Sequence, residues 1–201
     1  MGSYYYLAAQ LPSLVYGQAL PMSPASFKAL AKDAMSTVDA AILDFCTLDP
    51  APLAGSEEQP DLVSEGPGGA YAEDVLKTSS AFINCWKEWE RTLRLNLARG
   101  RLQKLKREGG SVADAPDYPA DAAALAKTAM AMESPLEAEI FLDKARWDAI
   151  DNFQGLDIFS ENAMYAYLLK LLLIERRAAF KAEDGLTEYE ALYTAILSQN
   201  T

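Results

Sequence analysis

The sequence predicts an all-α protein. Apolar residues recur at spacings of three and four along most of the 201 residues, and several Ser-Pro and Ser/Thr-x-x-Glu sequences mark helix starts. No alternating apolar run bounded by turn residues appears, as a strand pair would require. Because half of the residues are hydrophobic, the chain can bury a core, and we predict a helical bundle of about six to seven helices.

The first half of the chain contains two long helical patterns. Ser23 supplies an N-cap and Pro24 the first helical residue, and the apolar spacing continues from there to Phe45. A second helix is predicted over 72–107. Its inner stripe consists of large apolar residues: Val75, Phe82, Ile83, Trp86, Trp89, Leu93 and Leu97.

The second half contains three further helix starts. Ser134, with the proline that follows it and a glutamate three residues on, forms a capping box for a helix that runs towards Asp151. Ser160 can cap a helix that ends near Gly185. Thr187 opens the last predicted helix with a second capping box.

Two segments interrupt the helical pattern. Residues 49–69 combine prolines, glycines and acidic residues with no lysine or arginine, which predicts an acidic loop. Residues 109–121 are typical of a linker. We predict a single helical domain over 1–201, and the alternative is two sub-bundles, 1–108 and 122–201, joined by that linker.

Composition excludes several classes of enzyme. The chain has no histidine, which removes histidine-dependent triads, histidine-ligated zinc and the Glu-x-x-His motif of di-iron bundles. The glycine cluster at 66–69 lacks the Lys-Ser/Thr pair of a phosphate loop and follows no strand. We therefore predict no catalytic residue, no cofactor and no metal ligand, and expect a protein that is not an enzyme.

The carboxylates on the predicted helix that follows Ser134 give no clear acid–base pair. Asp143, Asp148 and Asp151 share one side of the helix loosely, and the sequence favours a solvated face for them. A remote enzyme hypothesis would use Tyr165 with Asp157, and it requires a deep pocket around a carboxylate of raised pKa.

The sequence shows no targeting or membrane-spanning segment. The N-terminus has neither a basic region nor a long apolar run, and the most apolar stretch, 164–174, is shorter than the roughly 20 residues of a span. Cys46 and Cys85 both lie in apolar helical contexts, which favours two buried thiols over a disulfide. These features predict a cytoplasmic protein.

Positive charge concentrates on one predicted helix. Residues 91–107 carry seven lysines and arginines, although the whole chain has a net charge of -11. These cations have three possible uses: pairing with the acidic segment 49–65, contact with an acidic protein partner, or binding of nucleic acid or anionic lipid. The net charge opposes the third.

Three consecutive tyrosines stand near the N-terminus. On a helix, Tyr4, Tyr5 and Tyr6 cannot all face one core. One interpretation packs Tyr4 and either Leu7 or Leu11 inward and lays Tyr5 or Tyr6 over a groove. The other places an outward tyrosine against a partner, because tyrosine is enriched at interfaces.

Three stretches of the chain, taken in order, carry a resemblance to a known family. They are Tyr4 to Pro12 with Pro21-Met22-Ser23, Trp86-x-x-Trp89-Glu90 through Asn96-Leu97 to Arg101, and Pro135 to Trp147 with the later Glu175-Arg176-Arg177. In these stretches the chain resembles an uncharacterised bacterial family encoded beside V/A-type ATPase genes. It is also similar to the C subunit of V-type ATP synthases, whose eukaryotic counterpart is named d.

The resemblance implies a helical socket on the cytoplasmic side of the rotor ring that holds the foot of the central stalk and does no chemistry. It implies the central-stalk subunits and the membrane rotor ring as partners, in proton or sodium transport. The chain would then lie on the inner face of the cytoplasmic membrane when assembled, with no nucleic acid bound.

On this hypothesis we expect five residues to face a partner: Tyr5, Tyr6, Arg91, Arg94 and Arg101. The alternative function is that of a free-standing helical adaptor or regulator. It would bind an acidic peptide or nucleic acid through the basic helix 91–107.

Overall fold

The computed structural model describes residues 4–49, 79–104 and 119–179. These residues contain seven α-helices and no strand. This confirms the all-α prediction. The helices are α1 (Tyr5–Gln10), α2 (Pro24–Ala34), α3 (Thr37–Ile42), α4 (Ala81–Lys104), α5 (Ala120–Ala131), α6 (Pro135–Gln154) and α7 (Glu161–Ala179). Most of the acidic segment 49–69, most of the linker 109–121 and the helix predicted from Thr187 lie outside the described residues.

Helices from both sides of the linker share one hydrophobic core. Helix α4 packs against α5 and α6, and α7 packs against α6 and α2. The core is formed largely by α4 and by α7, which buries Tyr165, Leu168, Leu169 and Leu171. Burial of each such side chain stabilises the folded state by about 1.5–3 kcal/mol. In the described part of the chain, no helix combines the length and the apolarity needed to span a membrane.

The two tryptophans of the predicted inner stripe are buried, as expected. The Trp86 and Trp89 rings stack with their centroids 5.9 Å apart. The Trp86 indole N–H donates to the carbonyl of Thr47 at 3.1 Å, and the Trp89 N–H donates to the Asp121 carboxylate at 2.8 Å. Buried indoles require such partners, so these two hydrogen bonds attach α4 to the chain on either side of it.

The predicted caps at three helix starts are confirmed. The side-chain oxygens of Ser23, Ser134 and Ser160 each accept the backbone N–H three residues further on, at 3.1, 3.3 and 3.3 Å. Helix α6 extends beyond its predicted end to Gln154. It stops there because Gly155 has a φ of +76°, a conformation that favours glycine.

The helix predicted over 23–45 is two helices instead of one. The backbone of Met35 is extended, and the Ser36 side chain caps α3 by accepting a backbone N–H. As a result the apolar stripe changes direction, and Val38 and Phe45 are exposed. Serine competes with the helix in this way because its hydroxyl can replace a backbone acceptor.

The long central helix begins later than predicted. Of the predicted span 72–107, the described part is helical from Ala81 to Lys104. Ser80 lies before the helix, and its hydroxyl accepts the N–H of Ile83 at 3.4 Å, which marks the start.

The connection between α1 and α2 is anchored to the other end of the chain by two tyrosines. The Tyr16 hydroxyl donates to the Ile140 carbonyl at 3.1 Å, and its ring packs against Trp147 at 5.6 Å between centroids. The Tyr167 hydroxyl donates to the Pro12 carbonyl at 2.9 Å. These contacts hold the N-terminal segment against α6 and α7.

The two cysteines differ in exposure. Cys46 is buried, as predicted, but the prediction for Cys85 is wrong, because that thiol is exposed on α4. Cys85 falls outside the stripe that Phe82 and Trp86 direct into the core. Burial raises the pKa of the Cys46 thiol to about 12.

We expect the two thiols to react at different rates. Near pH 8, one thiol per folded chain should react rapidly with a disulfide reagent, because Cys85 is accessible whereas Cys46 is buried and protonated. In urea, both should react. Cys85→Ser should remove the fast phase and Cys46→Ser should leave it unchanged. A fast phase that survives in the Cys85→Ser variant would contradict the assignment.

Candidate functional site

Six charged side chains from three helices form a network in the interior. They are Glu90 and Arg94 of α4, Glu139, Asp143 and Arg146 of α6, and Arg176 of α7. Glu90, Asp143 and Arg146 are exposed by 1%, 3% and 4%. Charged residues are rarely buried to this extent unless they are paired, so the network is the most unusual feature of the described structure.

The positions of these residues on their helices place them inside. Glu90 lies four residues after Trp86 and three before Leu93, so it belongs to the inner stripe of α4. Asp143 and Arg146 are one turn apart on α6 and lie beside the buried Leu142. Each helix therefore directs charge towards the same point of the core.

Arg146 is the centre of the network. Its Nε lies 3.2 and 3.0 Å from the two carboxylate oxygens of Glu90, and one terminal nitrogen lies 3.1 Å from Asp143 and 3.4 Å from Glu139. Burial by itself lowers the pKa of Arg146, but the three surrounding carboxylates outweigh it and raise the pKa above its usual value. One guanidinium thus joins α4 to α6.

Two further arginines extend the network. Arg94 donates from Nε to Glu90 at 2.8 Å, and its terminal nitrogen binds the Leu48 carbonyl at 3.0 Å and Asp49 at 2.7 Å. Burial opposes the charge of Arg94, but these two carboxylates raise its pKa. Arg176 binds Asp143 and lies 3.5 Å from Glu139, which joins α7 to α6.

The arrangement suits mechanical connection between helices. Buried ion pairs add little net stability, because removing the charges from water offsets their attraction. Their directional geometry nevertheless fixes the relative position of helices, whereas apolar contacts tolerate sliding. Within 4–49, 79–104 and 119–179, no group of three or more cysteine or acidic side chains is placed to hold a metal ion.

The expectation of a solvated face for the α6 carboxylates is wrong for one of the three. Asp148 and Asp151 are exposed, as predicted, and pair with Lys144 and Lys170. Asp143 is buried, because Arg146 on the same helix and an arginine of α7 supply two cationic partners. The sequence does carry a signal for the burial of Asp143, namely an arginine three residues later on the apolar side of the same helix.

The residues expected at a partner interface are distributed over two regions. Arg94 lies within the network, where its guanidinium is already bound. Arg91 is partly exposed and Arg101 exposed, and neither takes part in the ion pairs among the described residues. Tyr5 and Tyr6 are exposed by 57% and 83% at the other region, on α1.

The tyrosine cluster has the arrangement of the first interpretation. Tyr4 and Leu7 are buried, while Tyr5 packs against Phe159 with ring centroids 4.9 Å apart and lines a cleft. The Tyr4 hydroxyl donates to Asp39. The pKa of Tyr4 is raised, first by its burial and to a smaller extent by this hydrogen bond.

Tyr165 and Asp157, which the remote enzyme hypothesis would use together, each form hydrogen bonds with other groups. The Tyr165 hydroxyl lies 3.3 Å from the carbonyl of Asp39, and burial raises the pKa of Tyr165 well above its usual value. The Asp157 carboxylate accepts the N–H of Phe159 at 2.9 Å within an exposed turn. Tyr165 itself is buried.

We expect two equivalent substitutions on α6 to differ strongly. Asp143→Asn removes a buried charge that balances two arginines, and should lower the free energy of unfolding by about 3 kcal/mol. Asp148→Asn makes the same chemical change in an exposed pair, and should alter it by less than about 0.5 kcal/mol. Urea denaturation followed by circular dichroism measures both. Equal effects would contradict the structural role of the network.

Comparison with known proteins adds no assignment to this network. No protein-family model, no curated protein and no solved structure matches the chain. The function therefore has to be inferred from the resemblance in the sequence and from the chemistry of the described residues.

Proposed function

We propose that this chain is a non-catalytic component of a rotary V/A-type ATPase, which couples the central stalk to the membrane rotor ring in proton or sodium transport. The observation that supports this most is the buried network that joins α4, α6 and α7 through Arg146 and Arg176. The proposal also rests on the resemblance of the sequence to the C subunit of these ATPases.

A coupling component has to transmit torque without internal slip. Apolar helix packing alone allows small sliding motions between helices. A buried guanidinium with carboxylates on two helices resists such motion, because displacement of one helix would weaken the pairing of charges that are already out of water. The contacts of Arg146 with Glu90 and Asp143 are of this kind.

The residues behind the resemblance and those of the network overlap. Glu90, Asp143 and Arg176 stand in the stretches that resemble the ATPase component, and all three belong to the network. This overlap supports a fold like that of the ATPase component, because short motifs that resemble a family are more informative when they contact one another.

The proposed partners require accessible surface. Arg91 and Arg101 on α4 supply positive charge, and Tyr5 and Tyr6 supply exposed aromatic area. Arginine and tyrosine are enriched in protein interfaces. In the assembled complex the chain would lie on the cytoplasmic side, peripheral to the membrane through its partners.

The proposal is tested by affinity purification of the tagged chain from native membranes, followed by mass spectrometry. We expect central-stalk and rotor-ring subunits in stoichiometric amounts. Arg91→Glu combined with Arg101→Glu should lower their recovery at least about tenfold, because like charge opposes docking of an acidic partner. Arg94 is unsuitable for this test, because its substitution disturbs the network.

The matched control is Lys32→Glu combined with Lys127→Glu. These lysines are exposed on α2 and α5, and their reversal changes the net charge equally. Recovery should remain at the wild-type level. Absence of all ATPase subunits from the wild-type sample would reject the proposal. If nucleic acid or acidic soluble proteins were recovered instead, and were lost with the arginine charges, the adaptor function would replace it.

A further inference from the structure

Arg94 reaches the surface of α4, and there it already holds a carboxylate. Its Nε donates to the buried Glu90 at 2.8 Å, and one terminal nitrogen lies 2.7 Å from the Asp49 carboxylate. The Asp49 side chain is 84% exposed and that of Arg94 is 34% exposed. The structure thus contains an accessible carboxylate bound to an arginine that the core holds in place.

The Arg94 guanidinium is oriented without help from Asp49. Its hydrogen bond to Glu90, one turn earlier on α4, sets the direction of the planar group. The terminal nitrogen that binds Asp49 also binds the Leu48 carbonyl at 3.0 Å, which attaches the preceding backbone to α4. Release of the carboxylate therefore requires only rotation of the Asp49 side chain.

Two further arginines continue this surface along α4. Arg91 lies one turn before Arg94 and Arg101 two turns after it, so that the three positions fall within about 80° of the helix surface and span about 15 Å. Neither Arg91 nor Arg101 takes part in the ion pairs of the described residues. We call the surface formed by Arg91, Arg94 and Arg101 the α4 arginine stripe.

Local charge at the stripe differs from that of the whole chain. From Arg91 to Lys104, α4 carries five lysines and arginines and no acidic residue, although the net charge of the chain is -11. At physiological salt, exposed charges more than about 8 Å away are largely screened. A group that approaches the stripe is therefore influenced mainly by these cations, which favour a negatively charged partner.

We propose that the α4 arginine stripe binds the carboxylates of an acidic protein segment, and that Asp49 occupies Arg94 until a carboxylate of the partner displaces it. Guanidinium and carboxylate groups match in charge and in hydrogen-bonding geometry. An exposed ion pair such as Asp49–Arg94 contributes little stability, so a segment with several carboxylates can replace it. The inference rests on the acidic partner of the proposed function and identifies a competing group within the chain itself.

Binding of a fluorescently labelled hexaglutamate peptide to the full chain, measured by anisotropy at about 0.15 M salt, tests the proposal. The extended peptide spans about 20 Å, enough to cover the stripe. We expect saturable binding at protein concentrations up to about 1 mM. Asp49→Ala should tighten it about two- to fivefold, because the competing carboxylate is removed. Arg91→Glu combined with Arg101→Glu should weaken it at least about tenfold.

The matched control is Asp44→Ala, which removes the same charge from another exposed ion pair, that with Lys28. Its dissociation constant should stay within about 1.5-fold of the wild type. Equal tightening by both variants would overturn the proposal, because the effect would then be one of net charge. Weaker or unchanged binding by Asp49→Ala, or no binding by any of the proteins, would overturn it as well. Tighter binding of single-stranded hexathymidylate than of the peptide would assign the stripe to nucleic acid and likewise overturn it.

The peptide measurement and the test of the ATPase assignment can fail separately. If hexaglutamate binds as expected but no ATPase subunit is recovered from membranes, the stripe is retained and the ATPase partner is rejected. If ATPase subunits are recovered but Asp49→Ala leaves the peptide affinity unchanged, competition by Asp49 is rejected and the ATPase proposal stands.

Discussion

The structure depends on one constraint, the pairing of the buried Glu90 carboxylate with the Arg146 guanidinium. Removal of either charge alone takes a buried partner from the other, which then keeps only Arg94, or only Asp143 and Glu139, and this imbalance costs up to several kcal/mol. Asp143 pairs with Arg146 on the same helix and with Arg176 on α7, so ion pairs connect α6 to both α4 and α7. Apolar packing supplies most of the stability, and we infer that the network selects the arrangement in which that packing occurs.

The network and the accessible surfaces have separate physical roles. The network lies inside and connects helices, whereas Arg91 and Arg101 are accessible on α4 and Tyr5 and Tyr6 are exposed on α1. Arg94 touches both regions, since it binds Glu90 inside and Asp49 at its exposed end. A surface substitution can therefore test binding without disturbing the core, provided that Arg94 is left intact.

The sequence predicted the features that depend on local chemistry. The caps at Ser23, Ser134 and Ser160 and the buried tryptophans followed from residue type and helical spacing. The break at Ser36 was missed, because the apolar spacing continues through it although the serine side chain ends the helix. The burial of Asp143 was missed for another reason. Periodicity shows which side of a helix a residue occupies, but one of the two arginines that balance Asp143 comes from a different helix, α7.

A double-mutant cycle between Glu90 and Arg146 tests the central claim most directly. Glu90→Gln, Arg146→Met and the double variant are compared by urea denaturation of the full chain. If the pair fixes the position of α4 against α6, the two single losses are not additive, and the coupling free energy is about 2 kcal/mol or more. Additivity within about 0.5 kcal/mol would contradict the claim, because the two charges would then act independently of each other.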